Sequence, residues 1–462
     1  MIGTDSESGQ MNRVLAACTL TMVLLVLDSS IIGVMLPSIG QDLDLSSADV
    51  AWVVSSYLLA LAVLLPIGGR VADVIGPVIA FVVGTAAFAV ASAGIAFSGS
   101  DLALISWRAV AGAAAALLMP ATLSIILTAF ADDARARALA VYAGVGQAFA
   151  TVGPAVGGLC AEFIGWQWGF LINIPVGALG IALILTARPA NRRTASIRFD
   201  LLGAALLVVG ATAAVTALIQ VPVWGVLAWQ TLACAGIGIV ALVAFVVRCR
   251  RVADPVLNLR MFASRPFTGG TLVLAALGFG MTVATIYGAI TLQQTLDLSP
   301  AAGGLALLPM VVPLLIATRW VATAYTRVGA RRVGVAGTVA LTAGLVVIAV
   351  GVAVDSVWIV GVGLAPAGVG IGLLLSPMTN ATLSTVSDNE RGQASGVVST
   401  ARQLGGLIGV GVMSTCIALV PGGHNAGAMV GFATTAGVTL AAVFIAARTL
   451  PVPTKTATAR EA

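Results

Sequence analysis

Charged side chains are scarce in this chain: Asp, Glu, Lys and Arg together make up 9% of its 462 residues. A soluble globular domain carries roughly 25%. Disordered chains are also poor in apolar residues, whereas hydrophobic residues make up 59% of this chain. The scarcity of charge therefore excludes both an ordinary soluble domain and a disordered chain.

Residues that build metal and disulfide sites are also few. The chain has one histidine, His424, and five cysteines that are scattered without paired spacing, so neither a disulfide framework nor a zinc site is indicated. The phosphate-binding pattern G-x-x-x-x-G-K-[ST] is absent, and no nucleophile–base pair or cofactor motif is found. We therefore expect no metal, no cofactor, no nucleic-acid partner and no enzymatic activity.

Long apolar runs fill the chain instead, and each is near the ~20 residues that a helix needs to cross a bilayer. We therefore predict an all-α polytopic membrane protein. The predicted spans are 14–37, 50–68, 77–97, 102–129, 138–161, 166–187, 200–220, 227–247, 267–292, 302–325, 333–353, 357–381, 392–419 and 428–449.

The distribution of basic residues predicts the orientation of these spans. With the N-terminus inside, 20 of the 23 basic residues fall in cytoplasmic segments and none falls in an exterior segment. The positive-inside rule predicts this alternation. We therefore expect a multi-pass protein of the cell membrane, surrounded by lipid, with both termini in the cytoplasm. The exterior segments contain Asp42, Asp44, Asp49, Asp101, Glu162, Asp297 and Asp355.

The two longest cytoplasmic links, 188–199 and 248–266, bracket a pair of helices, with six spans before the pair and six after it. This layout predicts two six-helix bundles joined by an inserted two-helix pair. The predicted division is a cytoplasmic N-terminus (1–13), an N-terminal bundle (14–187), linkers with the inserted pair (188–265), a C-terminal bundle (266–450) and a cytoplasmic tail (451–462).

Four charged residues lie within predicted spans and more than one helical turn from either end: Asp28, Arg108, Arg319 and Arg402. A charge at the centre of a bilayer costs roughly 2.5–3.5 kcal/mol on insertion scales, so each needs a reason. At ~1.5 Å per residue, Asp28 lies ~14 Å from the outer end of its helix and Arg108 ~10 Å deep in the fourth. Opposite charges at similar depth offset each other's desolvation if their helices touch. We expect these two to face one aqueous cavity.

Five segments carry motifs in a recognisable order: LDSSIIGVMLPSI (27–39), WVVSSYLLALAVLLPIGGRVADVIG (52–76), SWRAVAGAAAALLMPA (106–121), GQAFATVGPAVGG (146–158) and ERGQASGVVSTARQLGGLIG (390–409). Taken in order, they resemble the fourteen-helix drug:proton antiporter family of the major facilitator superfamily. The resemblance covers nearly the whole chain and implies the major facilitator fold.

The resemblance also implies two motifs with known places in the family. The fifth-helix signature of antiporters falls on Gly153, Pro154, Gly157 and Gly158. The cytoplasmic loop motif between the second and third helices falls on Gly69, Arg70, Asp73 and Gly76.

We interpret Asp28 as the proton-coupling residue, because burial disfavours its charged form while a nearby Arg favours it. Arg108 would adjust the proton affinity of Asp28 or contact the substrate. The alternatives are a structural Asp28 that caps backbone or fixes Arg108, and an Arg108 that serves packing. Candidates for lining the cavity are Arg402, Gln147, Asn173, Tyr57 and Gln293, and the polar ones could instead form hydrogen bonds between helices.

Together these observations predict a proton-coupled antiporter that exports small organic compounds, antibiotics or toxic amphiphiles, by alternating access. One alternative is a dedicated exporter of a single endogenous metabolite or self-made antibiotic. Another is a membrane sensor or scaffold that does not transport. Because Asp28 is the one deep carboxylate, we expect neutral, zwitterionic or anionic substrates rather than dications. We expect a monomer whose partners are its substrate, protons and lipid.

Overall fold

The computed structural model describes residues 2–191, 200–252, 255–387 and 390–451. Within these ranges the secondary structure is helical, with no strand. Residues 192–199 of the predicted link 188–199 lie outside the described residues, as does all of the predicted tail 451–462 except Pro451.

The described helices supply thirteen candidate spans, and a bent pair of helices supplies a fourteenth. All fourteen coincide with predicted spans, which confirms the fold class. In chain order they are α1 (Gly9–Asp42), α2 (Ser47–Ile75), α3 (Pro77–Ala96), α4 (Asp101–Ala129), α5 (Arg137–Ala150 and Val152–Ile164), α6 (Gln167–Ala187), α7 (Leu201–Trp224), α8 (Trp229–Arg251), α9 (Arg265–Gln294), α10 (Pro300–Val321), α11 (Val328–Ala353), α12 (Val357–Leu383), α13 (Gln393–Leu419) and α14 (Gly423–Thr449).

Local sequence explains where several spans begin. Ser46 accepts from the backbone N–H of Asp49, and the Asp49 carboxylate accepts from the N–H of Ser46, which forms a capping box before α2. Ser100, Ser299 and Ser356 cap α4, α10 and α12 in the simpler way, with one side-chain oxygen on an otherwise unpaired N–H.

Two spans are interrupted, each for a local reason. The halves of α5 meet at an angle of 42°, where Pro154 cannot donate to the carbonyl of Ala150. In α9 a π-helical turn, Val283–Tyr287, separates the first part of the span from the last.

The described chain forms two compact units. The first contains residues 1–257 and 285–306, and the second contains 258–284 and 307–462. The π-helical turn of α9 therefore lies where the chain passes from the second unit to the first. The inserted pair, α7 and α8, belongs to the first unit, and α7 packs against α2. The predicted bundle boundaries remain predictions.

Small residues allow the spans of each unit to touch at the backbone, as is common between helices in lipid. In the first unit a Cβ on Gly112 of α4 would overlap the backbone carbonyl of Tyr57 on α2. In the second unit a Cβ on Gly278 of α9 would overlap the carbonyl of Arg402 on α13. Such contact fixes how the two helices are aligned along their axes, and therefore how their charged side chains are placed relative to one another.

Candidate functional site

The centre of the first unit contains a buried ion pair. Asp28 lies on α1 with no exposed surface, and Arg108 lies on α4 with 1% exposed. Arg108 Nη1 donates to Asp28 Oδ2 over 2.7 Å. The structure thus brings together the two residues that the sequence placed at similar depth.

Two further contacts hold the guanidinium. Arg108 Nε donates to the carbonyl oxygen of Val53 on α2 over 3.1 Å. The guanidinium carbon also lies 4.5 Å from the ring centre of Tyr57, itself buried on α2, which is within the range of a cation–π contact. Arg108 is therefore fixed by α1 and α2 together, and Tyr57 belongs to this cluster.

The carboxylate of Asp28 is only half satisfied. Its Oδ1 is buried and has no hydrogen-bond partner among the residues that the structure describes. A buried acceptor without a partner is costly, so one of the two carboxylate oxygens of Asp28 carries an unmet demand for a hydrogen bond.

The glycines of the α5 signature face the residues that follow Asp28. A Cβ on Gly153 would overlap the Ser30 hydroxyl, and a Cβ on Gly157 would lie 3.0 Å from the Cα of Ile31. Any side chain at these positions would push α5 away from α1. The signature glycines thus set the distance between α5 and the part of α1 that carries the ion pair.

The same signature also contacts the start of α10, near the membrane face where α1 ends. A Cβ on Gly158 would overlap the carbonyl oxygen of Pro300, and one on Gly304 would overlap that of Pro154. Glu162 accepts a hydrogen bond from the backbone N–H of Ala301 over 2.8 Å. Neither role could be recognised from the sequence alone, where Glu162 is an ordinary exterior acid and Gly304 an ordinary residue of a span.

Gln293 is buried on the last part of α9, and its Nε2 donates to the carbonyl of Val34 on α1 over 2.9 Å. It borders a cavity of about 340 Å³ whose lining includes Ser38, Gln41, Gln294 and Asp297. This cavity lies within the first unit, about three turns beyond Asp28 along α1. Gln293 is thus a contact between α9 and α1 at the rim of a cavity.

The remaining candidates lie on α5, α6 and α13. Asn173 of α6 is fully buried, and its Nδ2 donates to Ser92 Oγ of α3 over 3.1 Å. Gln147 is half-buried on α5. Arg402 is half-buried in the second unit, beside Gly278. Arg319 is exposed near the end of α10, consistent with a side chain that reaches the membrane surface.

The loop motif lies at the opposite end of α2 from its capping box. The guanidinium of Arg70 donates to the carbonyl oxygen of Pro255, Asp73 is exposed, and Gly76 has a φ of 97°. Within the described chain no group of three or more His, Cys, Asp or Glu residues could hold a metal ion.

Comparison with known proteins identifies the family. The model of the Major Facilitator Superfamily matches residues 18–410, which is most of the chain. The chain belongs to this superfamily. The match confirms the family that the ordered motifs predicted, and membership makes the chain a multi-pass membrane protein whose relatives move small molecules across membranes.

Individual relatives of this superfamily protein are exporters and resistance proteins. It is 32% identical to the tetracenomycin C resistance and export protein of Streptomyces glaucescens, over 87% of this chain and 75% of the relative. It is 34% identical to the cephamycin export protein of Amycolatopsis lactamdurans, over 89% and 86%. It is 29% identical to the multidrug resistance protein B homolog of Mycobacterium tuberculosis, over 88% and 76%.

Among solved structures, a crystal structure of a peptide transporter in complex with sulfate is similar, with a TM-score of 0.72 and 16% sequence identity over 95% of this chain and 93% of that one. At this identity the likeness shows the fold alone. It places the buried ion pair in a transporter fold.

Proposed function

We propose that this protein is a proton-coupled antiporter that exports small organic compounds, antibiotics or toxic amphiphiles, from the cell. The observation that carries the proposal is the ion pair of Asp28 and Arg108, buried inside a transporter fold with one carboxylate oxygen left without a partner. The names of the relatives, which are antibiotic export and multidrug resistance proteins, support the direction of transport and the substrate class.

In this proposal the proton binds to Asp28. Protonation removes the negative charge and leaves Arg108 buried without a counter-ion, which is strongly unfavourable. The attraction between α1 and α4 then weakens, and the first unit favours a conformation in which Arg108 reaches water or the substrate. Loss of the proton restores the pair. Asp28 thus converts protonation into a change in helix packing, as alternating access between the two sides of the membrane requires.

The proton gradient supplies enough free energy for this cycle. One elementary charge that crosses the membrane gains ~2.3 kcal/mol per 100 mV, and 1.4 kcal/mol corresponds to a tenfold concentration ratio (~298 K). One proton per substrate is therefore sufficient to concentrate an uncharged compound outside the cell.

The substrate is proposed to be neutral, zwitterionic or anionic. Among the described spans, Asp28 is the only acidic residue more than two helical turns from a span end, and Arg108 already neutralises it. A dication would need carboxylates that this part of the chain does not offer. In the second unit Arg402 adds a half-buried positive charge.

The proposed location is the cell membrane, with both termini in the cytoplasm, as the one-sided distribution of Arg residues favours. The face on which α1 begins is then cytoplasmic, and the face on which it ends is exterior. The proposed assembly is a monomer.

Export of one compound is the second candidate function. It is favoured by relatives whose names each contain a single antibiotic, tetracenomycin C and cephamycin. A panel of antibiotics and dyes, tested for growth inhibition of an efflux-deficient host, separates the candidates. Broad resistance supports multidrug export, and resistance to one compound supports the dedicated exporter.

Each result is compared with that of the Asp28→Asn variant, expressed to the same level in the membrane. Resistance that Asp28→Asn abolishes supports proton-coupled export. If the wild-type protein protects against no compound and moves none in proteoliposomes, the proposal is wrong and a sensor or scaffold role is favoured.

A further inference from the structure

The inserted pair, α7 and α8, takes no part in the ion pair or in the α5 contacts. The chain on either side of it nevertheless contacts the two helix ends that the loop between α2 and α3 connects. Asn191, which precedes α7, bonds to the ends of α2 and α3, and Pro255, which follows α8, accepts from a residue near the end of α2. These contacts all lie within the first unit.

Asn191 bonds to both helices that the loop connects. Its Oδ1 accepts from the backbone N–H of Val78 over 3.0 Å, and its Nδ2 donates to the carbonyl of Ile75 over 3.3 Å. Ile75 ends α2, and Val78 lies in the first turn of α3. Terminal N–H and C=O groups of helices have no partner within their own helix. A single side chain from a distant segment thus satisfies one group of each kind.

Gly76 leaves the space that Asn191 occupies. Its φ of 97° is one that residues with a side chain rarely adopt, and a Cβ there would overlap the Asn191 amide. The loop therefore has a glycine where both the turn and the docking of Asn191 require one.

Arg70 connects the end of α2 to the segment after α8. It lies half-buried near the end of α2, and its guanidinium donates to the carbonyl of Pro255. A charged donor strengthens this bond relative to a neutral one. The loop is thus held by both linkers of the inserted pair, through Asn191 on one side and Arg70 on the other.

An ion pair joins the two inserted helices, α7 and α8, at the same membrane face as the loop. Asp200 is buried, and its Oδ1 accepts from the N–H of Gly203, which caps α7, and from Arg248 Nε of α8 over 2.8 Å. This ion pair joins the beginning of α7 to the end of α8, and Arg248 lies seven residues before Pro255. Closure at this point keeps the two linkers near the loop.

We propose that the inserted pair acts as a clamp on the loop between α2 and α3, with Asn191 as its positioning residue. The clamp holds the loop motif, Gly69, Arg70, Asp73 and Gly76, in one conformation, so that the ends of α2, α3, α7 and α8 move as one body. This role concerns loop order and goes beyond the proposed transport activity, on which it does not depend.

Amide hydrogen exchange of the full-length protein in detergent, followed by mass spectrometry on peptides that cover residues 75–80, tests the clamp. Asn191→Ala removes both bonds and is expected to accelerate exchange of this segment at least tenfold. Asn191→Asp retains the acceptor for the Val78 N–H and is expected to restore exchange to within threefold of wild type. The rescue separates a positioning role from general damage.

Gln10→Ala is the matched control. Gln10 donates to the carbonyl of Ala187 over 2.7 Å, a side-chain bond in the same unit that does not involve the loop, so exchange at 75–80 is expected to stay at the wild-type rate. Equal rates in wild type and Asn191→Ala, within twofold, would overturn the proposal. So would an equal acceleration in Asn191→Ala, Asn191→Asp and Gln10→Ala.

Discussion

The ion pair of Asp28 and Arg108 predicts a strong coupling between two substitutions. Asp28→Asn removes the negative charge and leaves Arg108 buried, and Arg108→Gln removes the positive charge and leaves Asp28 buried. The double variant carries neither charge. We expect the double variant to lose much less stability than the sum of the losses of the two single variants.

The magnitude follows from burial. Asp28 is 0% and Arg108 1% exposed, and removing one partner of a buried pair costs about 3–5 kcal/mol, because the other charge stays buried without compensation. Replacing both partners of a buried pair by well-packed apolar side chains of similar volume is often nearly neutral, and the double variant with Asn and Gln likewise leaves no charge buried. The coupling energy of the cycle is therefore expected to be about 3 kcal/mol or more in favour of the pair.

The assay is equilibrium unfolding of the purified protein and its three variants in mixed micelles. Asp200 and Arg248 supply a matched control cycle, since their atoms are 2.8 Å apart but the Arg248 side chain is 35% exposed. Asp200 is buried but the Arg248 side chain reaches water, so the coupling is expected to be smaller there than at the fully buried pair.

An additive result would refute the reasoning. If the two single costs at Asp28 and Arg108 sum to the cost of the double variant within about 0.5 kcal/mol, the charges do not depend on each other. The mechanism built on their separation would then have no energetic basis.

Three further expectations follow from the described contacts. Gly158→Leu forces α5 away from the facing carbonyl of α10 and should destabilise the fold by about 1–3 kcal/mol in unfolding experiments, whereas Gly144→Leu, with open space around it, should cost less than about 0.5 kcal/mol. Equal costs would contradict this account of the signature. Asn173→Ala removes the bond to Ser92 and should cost about 1–3 kcal/mol without altering which compounds the protein exports, and a changed spectrum at unchanged stability would assign Asn173 to the substrate site. Expression should give no strong resistance to a dicationic dye, because Asp28 is the one deep carboxylate among the described spans. Strong resistance in a growth assay would show that the substrate's charge was misjudged.

The helices could be predicted from sequence because the physical requirement is simple. A span needs about 20 apolar residues, and fourteen such runs are separated by polar, glycine or proline breaks. The ion pair was also predictable, since Asp28 and Arg108 are charges that cannot reach a membrane surface and lie at similar depth.

Contacts between distant segments could not be predicted, because no local pattern encodes them. Asn191 reads as an ordinary linker residue, yet it bonds to Ile75 and Val78. Glu162 reads as an exterior acid, yet it accepts from Ala301. Such pairings depend on how the helices pack in three dimensions, and a single sequence contains no direct record of that packing.

The central claim is that Asp28 carries the transported proton, and gradient-driven uptake into proteoliposomes tests it most directly. For a compound to which the protein confers resistance, an imposed pH gradient should drive accumulation by the wild-type protein. Asp28→Asn should lose this accumulation but retain exchange of labelled for unlabelled compound when no gradient is present, because exchange needs no change of protonation. Accumulation by Asp28→Asn at the wild-type rate would contradict the account.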